Sequence, residues 1–399
     1  MIHRFRFVIA GISALIFCWG GYKVYNYFFD AQQPVIALEG IENNVCYAGE
    51  IACRVRSNKK GDLAVWLDGQ PLINNYRLSF KEREHPFIIP SKTINNGKHI
   101  LKIELVDRSF AKNKTSLEKT FFIDNIPLQA AFVKTDGDYK VFQGRTLHVQ
   151  FQTNKEIKEA RIQALAHIFD CFPESKNSSI YECFIPISCE EAPNEYLLAT
   201  EIIDKVGNSL TLESKFQVVL FPFKKQTLQV SAEKVAEEKS LGLDSAKLEE
   251  VIEGLLVKSP REKLWRGPFC TPIDVTRVTC DFGTIRTTQE KGRYMHKGLD
   301  VTNAPRSVVW APQDGIVVHK ERYAFTGNTV IIDHGWGILS LFFHLDNFAD
   351  IQVGQKISKG SPLGTLGKTG YATGYHLHWE MRVCNVQVDP MQWTKTTFC

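Results

Sequence analysis

The sequence predicts a mainly β protein whose helices are confined to the N-terminus and to one connector. Apolar and polar residues alternate between turn signals from about residue 34 to 223, which is typical of half-buried strands. A charged, helix-like stretch follows at 224–262, and short Gly-rich apolar runs continue to the C-terminus. The 399 residues allow roughly two to four domains. A net charge of +4 argues against a nucleic-acid-binding protein.

Residues 1–33 predict a signal anchor that forms one transmembrane helix. Two arginines precede an apolar run that starts at Phe7 and stays lipophilic to Phe29, interrupted by Lys23. A membrane span needs about 20 residues, and a lysine near its end can extend its amine to the interface. Because no Ala-x-Ala cleavage site follows, an uncleaved anchor is favoured over a cleaved signal peptide. The arginines then keep the N-terminus in the cytoplasm and send the remaining chain outward.

Two β-sandwich modules are expected next, at residues 34–125 and 126–223. Segments such as LAVWLDGQPL and GKHILKIELVD alternate in polarity, and both modules resemble immunoglobulin-like sandwiches. Their histidines are scattered and are interpreted as surface or locally bonded residues: His85, His99, His148 and His167. Neither module therefore supplies a predicted catalytic cluster.

Residues 224–262 predict a helical connector. The segment SAEKVAEEKS is charged, and a solvated linker is the plain alternative for it. Asp244 can cap a helix whose apolar residues share one face, and Ser259-Pro260 ends that helix. The apolar residues are Leu248, Val251, Ile252, Leu255 and Leu256.

Ten cysteines are present, and nine of them lie beyond Cys18. Outside the cytoplasm such residues favour disulfides, so structural bridges are predicted, with their connectivity open. An odd number leaves at least one thiol free or paired between chains. The absence of C-x-x-C pairs argues against a zinc ribbon or a thioredoxin-like site.

The C-terminal region, residues 263–399, reads as an antiparallel β domain with two histidine motifs. In GYHLHWE, His376 and His378 are two residues apart and point to the same face of a strand. In HKGLD, His296 and Asp300 share one side of an extended segment, with Gly298 leaving room between them. His296, Asp300 and one histidine of H-x-H make three zinc ligands with a fourth position left for water, which is the catalytic pattern.

Each motif by itself is weak evidence. A surface pair explains H-x-H, and a hydrogen bond between His296 and Asp300 explains HKGLD equally well. His344 ends the apolar strand of FFHLD, where a lone histidine is more often satisfied structurally. The residues alone leave open which histidine of H-x-H binds a metal.

HKGLD, FFHL and GYHLHWE, in that order, together resemble the lysostaphin-type zinc endopeptidases over about residues 264–393. The resemblance implies one Zn²⁺ per chain held by His296, Asp300 and His378. It implies that His344 and His376 are two active-site histidines that do not bind the metal. The sequence departs from the family at positions expected to line the substrate groove: Arg306 to Val309, Phe342, Lys368 and Tyr375.

The function implied is that of a membrane-anchored zinc metalloendopeptidase that hydrolyses peptide cross-links of bacterial peptidoglycan with a zinc-activated water. Its expected partners are peptidoglycan peptide stems and, through the N-terminal helix, the inner membrane, with the catalytic domain in the periplasm or outside. Whether it has partners in cell division or wall synthesis stays open.

Two functions other than that of an enzyme make different predictions. A catalytically silent regulator of other wall hydrolases predicts loss of at least one of the five site residues, and all five are present. A wall-binding protein with a remnant peptidase domain predicts no stoichiometric zinc. The cross-link type, the general base, the oligomeric state and autoinhibition stay open.

Overall fold

A computed structural model describes residues 2–79, 82–134, 139–229, 240, 242–288 and 292–396, with the side chains of residues 2–14, 242 and 243 outside the description. Most of the regular structure is β-strand, so the mainly β prediction is confirmed. The chain divides into two compact units, Met1–Pro127 with Lys205–Asn208 and Leu128–Asp204 with Ser209–Cys399.

The first unit contains two sheets that share one core. Its elements are α1 (Ile2–Phe29), β1 (Ile36–Glu39), β2 (Cys46–Tyr47), β3 (Glu50–Ser57), β4 (Gly61–Leu67), β5 (Gln70–Leu78), β6 (Glu84–Pro90), a 3₁₀ turn (Ser91–Thr93), β7 (Gly97–Asp107) and β8 (Lys114–Ile123). The sheet orders are β1-β3-β6 and β2-β8-β7-β4-β5. Strand β3 alternates between exposed and buried residues, so Ile51, Cys53 and Val55 enter the core. The immunoglobulin likeness of this module stays a prediction.

The membrane-spanning anchor predicted at residues 1–33 is not supported. Helix α1 is present, but the apolar run begins among side chains outside the described part. In what the structure describes, no helix is both long enough and apolar enough to cross a membrane. From residue 15 onward, Gly20, Gly21, Lys23 and Asn26 dilute the apolar character of α1.

The second unit begins with another pair of sheets. Its first strands are β9 (Ala130–Phe132), β10 (Lys140–Phe142), β11 (Thr146–Thr153), β12 (Ile157–Ala164), β13 (His167–Asp170), β14 (Phe172–Pro173), β15 (Ile180–Pro186), β16 (Glu195–Asp204) and β17 (Ser209–Val219). They form the orders β10-β17-β16-β12-β13 and β14-β15-β11-β9. Residues such as Phe151, Ile162 and Leu198 from both sheets bury completely in one core.

The rest of the second unit carries the predicted site. Its elements are β18 (Lys225–Thr227), α2 (Gly242–Val257), β19 (Arg277–Cys280), β20 (Ile285–Thr288), β21 (Gly292–Met295), β22 (Leu299–Thr302), β23 (Val308–Trp310), β24 (Gly315–Tyr323), β25 (Gly327–Asp333), β26 (Ile338–Leu345), β27 (Asn347–Phe348), β28 (Lys356–Ile357), β29 (Pro362–Thr365), β30 (Leu377–Val383), β31 (Val386–Val388) and α3 (Pro390–Lys395). The main sheet has the order β19-β22-β30-β26-β25-β24-β28, with β31 beside β30. Strands β22, β30 and β26 are therefore neighbours, although they are far apart in sequence.

Helix α2 packs on strands β25 and β26 through the apolar face that the sequence predicts. Leu248 and Ile252 are buried in a cluster with side chains of those strands. Asp244, the predicted cap, lies in the first turn of α2. Its Oδ2 accepts hydrogen bonds from the backbone N–H groups of Ala324 (2.6 Å) and Phe325 (3.1 Å), so it fixes the loop after β24.

An aromatic cluster joins the first sheets of the second unit to the C-terminal sheet. Phe184 of β15 lies against Trp265, Trp336 and Trp393, with ring centroids 5.7–6.0 Å apart. Beside it, the buried carboxylate of Glu182 accepts a hydrogen bond from Lys263 Nζ at 2.8 Å. The site-bearing domain is therefore supported from one side by the preceding β module.

The predicted disulfides are not found among the cysteines that the structure describes. Free thiols are carried by Cys53, Cys171, Cys183, Cys189, Cys270, Cys280 and Cys384. Cys18 is also free and exposed, and Cys399 lies outside the described residues. Most of these side chains are buried, because an unpaired thiol packs as a small apolar group.

Candidate metal centre

Three neighbouring strands bring the sequence motifs together. Strands β22 and β30 are antiparallel, and Asp300 lies directly opposite His378. Residues opposite each other share a face of the sheet, and His378 Nδ1 is 2.8 Å from Asp300 Oδ1. His296, in the turn before β22, places Nε2 3.1 Å from the same oxygen. The three side chains predicted to hold zinc therefore converge on one carboxylate oxygen.

The two other predicted histidines lie at the edge of this cluster. The rings of His344 and His376 are 4.8 Å apart between centroids, and His376 Nε2 is 3.9 Å from Asp300 Oδ1. Each ring donates from Nδ1 to a backbone carbonyl, His344 to Thr369 (2.8 Å) and His376 to Gly374 (2.9 Å). Such bonds fix the tautomer of a neutral imidazole and leave Nε2 as an acceptor.

His344 sits in an unusual backbone conformation at the end of β26. Its φ is +62°, the left-handed region that side chains other than glycine rarely adopt. Strain of this kind is kept where surrounding structure imposes it, often at functional sites. Phe342, two residues earlier, is fully buried in the domain core. It is therefore not a groove-wall residue, as the resemblance had implied.

The ionisable side chains of the cluster have pKa values shifted from their usual ranges. Burial would raise the pKa of Asp300, but the adjacent imidazoles of His296 and His378 bring it well below its usual range. Burial by itself would lower the pKa of His378, yet hydrogen bonds to Asp300 and Glu380 raise it to about 9. The pKa of His296 falls, chiefly through burial. The metal-free site thus favours one positive charge between two carboxylates.

This arrangement fits a bound cation. His296 is buried, and in the described part of the chain no hydrogen bond is directed to its Nε2, although Asp300 is close. An orphaned buried nitrogen is costly unless something else binds it. Two imidazoles and a carboxylate are ordinary ligands of zinc, so the residues present suit that ion.

Zinc affinity of the metal-free protein should rise with pH. A metal must displace the proton that His378 holds, and the pKa of that group is raised to about 9. Affinity should therefore fall at least roughly tenfold for each pH unit below 9. Calorimetric titration with Zn²⁺ from about pH 6 to 8 measures the slope. An affinity that does not change over this range would contradict the prediction.

Gly298 leaves the space that His378 occupies. A Cβ atom at position 298 would lie 2.3 Å from His378 Nε2 and 2.4 Å from its Cε1. Gly298→Ala should push the imidazole off Asp300 and weaken zinc binding by roughly 10–100-fold. Equilibrium dialysis with zinc measures the effect. Gly374→Ala is the matched control because open space surrounds that glycine; equal losses in both variants would refute the steric argument.

A chain of charged side chains extends from His378 to helix α2. His378 Nε2 is 3.3 Å from Glu380 Oε1, and Arg382 Nε donates to Glu380 Oε2 at 2.8 Å. The guanidinium of Arg382 also donates to both oxygens of Glu249 on α2, at 2.6 and 2.8 Å. Helix α2, predicted only as a connector, is thus tied through two buried charges to the candidate metal site.

Sequence reasoning weighed Glu380 as a residue that orients a metal ligand, but it did not assign a role to Arg382 or Glu249. A usable signal was present for Arg382, because residues 376, 378, 380 and 382 share one face of a strand and are all polar or charged. Nothing in the sequence pairs Glu249 with a residue 133 positions away. Cys280 was also missed as a neighbour of the site; single atoms of Cys280, His296 and Asp300 lie within 4.8 Å of one another.

Glu249→Ala should destabilise the fold. Arg382 is 2% exposed and would lose two charge-assisted hydrogen bonds while keeping its bond to Glu380. We expect unfolding free energy to fall by about 1–3 kcal/mol, measured by urea denaturation. Glu250→Ala, an exposed carboxylate on the same helix, is the control and should change stability little. Similar losses in the two variants would show that the pair with Arg382 is not responsible.

A β domain that gathers four histidines and an aspartate in this way has the composition and geometry of a metallopeptidase domain. Residues 294–390 match the family described as "Peptidase family M23". The predicted family resemblance is therefore confirmed for this part of the chain.

Named relatives match about a third of this chain, and the match spans less than a third of their own length. Peptidoglycan DD-endopeptidase ShyC of Vibrio cholerae is 32% identical over 121 residues, which is 30% of this chain and 28% of the relative. DD-carboxypeptidase/endopeptidase Mpg of Neisseria meningitidis is 32% identical over 120 residues, 30% of this chain and 27% of the relative. A solved structure from Pseudomonas aeruginosa described as a peptidase M23 is 23% identical, with a TM-score of 0.45, and the match covers 63% of this chain and 94% of that one.

Proposed function

We propose that this protein is a zinc-dependent endopeptidase that cuts peptide cross-links of bacterial peptidoglycan, and that it works outside the cytoplasm, where that polymer lies. The observation that carries the proposal is the convergence of His296 and His378 on one oxygen of Asp300. Relatives named as peptidoglycan DD-endopeptidases support the substrate class. They also make a wall peptide a better candidate than an ordinary protein substrate.

His296, Asp300 and His378 would hold the zinc ion. When bound, zinc supplies Lewis acidity, which lowers the pKa of water toward about 7 and polarises a carbonyl. Asp300 contributes the negative charge, and the adjacent His296 and His378 keep it ionised. Phe343 stacks on the His378 ring at 5.3 Å between centroids and 3° between planes, which holds that ligand in orientation.

His344 and His376 would handle the proton and the developing negative charge. Their Nδ1 donors are occupied by backbone carbonyls, so each presents Nε2 as an acceptor. Burial, with His376 and His378 nearby, lowers the pKa of His344 to about 3, so this ring is neutral in the metal-free site at ordinary pH. One ring can accept a proton from the attacking water, and the other, once protonated, can stabilise an oxyanion or protonate the leaving amine.

The silent-regulator alternative receives no support from the geometry. It requires at least one of the five residues to be lost or displaced. All five lie within one cluster, and the backbone strain at His344 falls on a residue with a proposed catalytic role.

Digestion of murein sacculi by the full-length protein tests the proposed function. Zinc-loaded protein should release cross-linked muropeptides as monomers, detected by mass spectrometry. A chelator should stop the release, and added Zn²⁺ should restore it. Stoichiometric zinc with no change in the muropeptide profile would overturn the enzymatic proposal and favour a regulator.

A further inference from the structure

We propose that Cys280 is a fourth protein ligand of the zinc centre, so that in the resting protein a thiolate occupies the position otherwise open to water. This inference rests on the proposed function, since it needs the same metal site. On coordination a Zn–S bond forms, the S–H bond breaks and the proton passes to solvent. The centre would then bind a water for catalysis only when the thiolate leaves.

Strand pairing places Cys280 beside the site. Cys280 ends β19, which runs antiparallel to β22, and it lies directly opposite Asp300. Residues in that relation point to the same face of the sheet, with Cβ atoms about 4.5–5.5 Å apart. The register shifts between Val278 and Cys280, and such irregularities re-aim side chains at sheet edges. Asp300 therefore has His378 on one neighbouring strand and Cys280 on the other.

The distances allow Cys280, His296 and Asp300 to share one ion, and His378 Nδ1 lies 2.8 Å from Asp300 Oδ1. Single ligand atoms of Cys280, His296 and Asp300 all lie within 4.8 Å of one another. Tetrahedral zinc bonds of about 2.0–2.3 Å separate neighbouring ligand atoms by roughly 3.3–3.6 Å, so small side-chain movements suffice. A second, independent observation is the orphaned Nε2 of His296, a residue only 8% exposed, which indicates that an ion binds in this cluster.

Charge balance also favours a thiolate ligand once zinc is bound. Two neutral imidazoles, the Asp300 carboxylate and a thiolate balance the charge of Zn²⁺. Cys280 Sγ lies 3.7 Å from the carbonyl oxygen of Asp281, a weak contact, and also interacts with Thr284 and Arg286. Arg286 lies close by, with Nη2 3.7 Å from Asp300 Oδ2, and adds positive charge that a second anion would offset.

X-ray absorption at the zinc edge of the full-length, zinc-loaded protein tests the proposal. One sulfur scatterer at about 2.3 Å, together with nitrogen and oxygen at about 2.0–2.2 Å, is expected. Cys280→Ser should remove the sulfur signal. Cys270→Ser, a partly buried thiol of the same domain that lies against the Ala311 carbonyl, should keep it.

A cobalt-substituted sample gives a second readout that needs no variant. Cys280 ligation should produce a sulfur-to-cobalt charge-transfer band in the near ultraviolet. Stoichiometric zinc with only nitrogen and oxygen neighbours, and no charge-transfer band, would overturn the role of Cys280 and leave the proposed function intact. A chain that binds no stoichiometric metal would overturn both.

Discussion

Asp300→Asn should remove metal binding and murein hydrolysis together. Asp300 is the hub of the site, since its Oδ1 lies 2.8 Å from His378 and 3.1 Å from His296. An amide keeps the volume but loses the negative charge that a divalent ion requires. Zinc affinity should fall by more than the roughly 10–100-fold expected for residues that only support a ligand, and digestion of sacculi should drop to background.

Metal analysis after dialysis and the muropeptide assay together check this result. Asp350→Asn, an exposed carboxylate in the same domain, is the control and should keep both zinc and activity. Urea denaturation of both variants shows whether the fold persists. Full zinc content in a folded Asp300→Asn variant would contradict the site assignment.

His344→Ala should keep the metal and lose most of the rate. The ring of His344 lies 4.8 Å from that of His376 and 6.3 Å from that of His378, and its Nδ1 bonds a backbone carbonyl rather than a predicted ligand. Loss of a positioned acid or base costs roughly 10²–10⁴-fold in kcat. Zinc content should stay at one per chain.

The measurement is kcat on purified cross-linked muropeptides beside zinc content in the same sample. His167→Ala, an exposed histidine of the preceding β module, is the control. A metal-free His344→Ala protein would show that His344 binds the metal, and its role would have to be reassigned. Alanine at position 344 must still adopt the left-handed backbone conformation, which is strained. The thermal stability of the variant should therefore be measured alongside its activity.

Predictions from local sequence pattern were confirmed for several strands and for α2, whereas the predicted transmembrane helix and disulfides were not supported. The alternation of polarity predicted strands such as β3 and β7, and the apolar face of α2 proved to be its buried face. The expected transmembrane character of residues 1–33 is not supported. The disulfides predicted from cysteine number are absent among the described thiols named above, because compartment and count say nothing about which side chains meet.

At the candidate site too, sequence pattern predicted some features and left others undecided. Two-residue periodicity is enough to put His376, His378, Glu380 and Arg382 on one face of a strand, and motif order is enough to suggest the family. Periodicity cannot say which histidine faces Asp300.

By itself, then, the sequence determined the mainly β class, the family and the residue types at the site. The tertiary structure decided that His378 lies opposite Asp300 across 78 residues of chain. It also decided that Glu249 reaches Arg382 across 133 residues and that Cys280 flanks the same carboxylate. The physical reason is that side-chain direction follows from the local backbone, whereas strand neighbours follow from how the whole sheet and α2 bury their apolar surface.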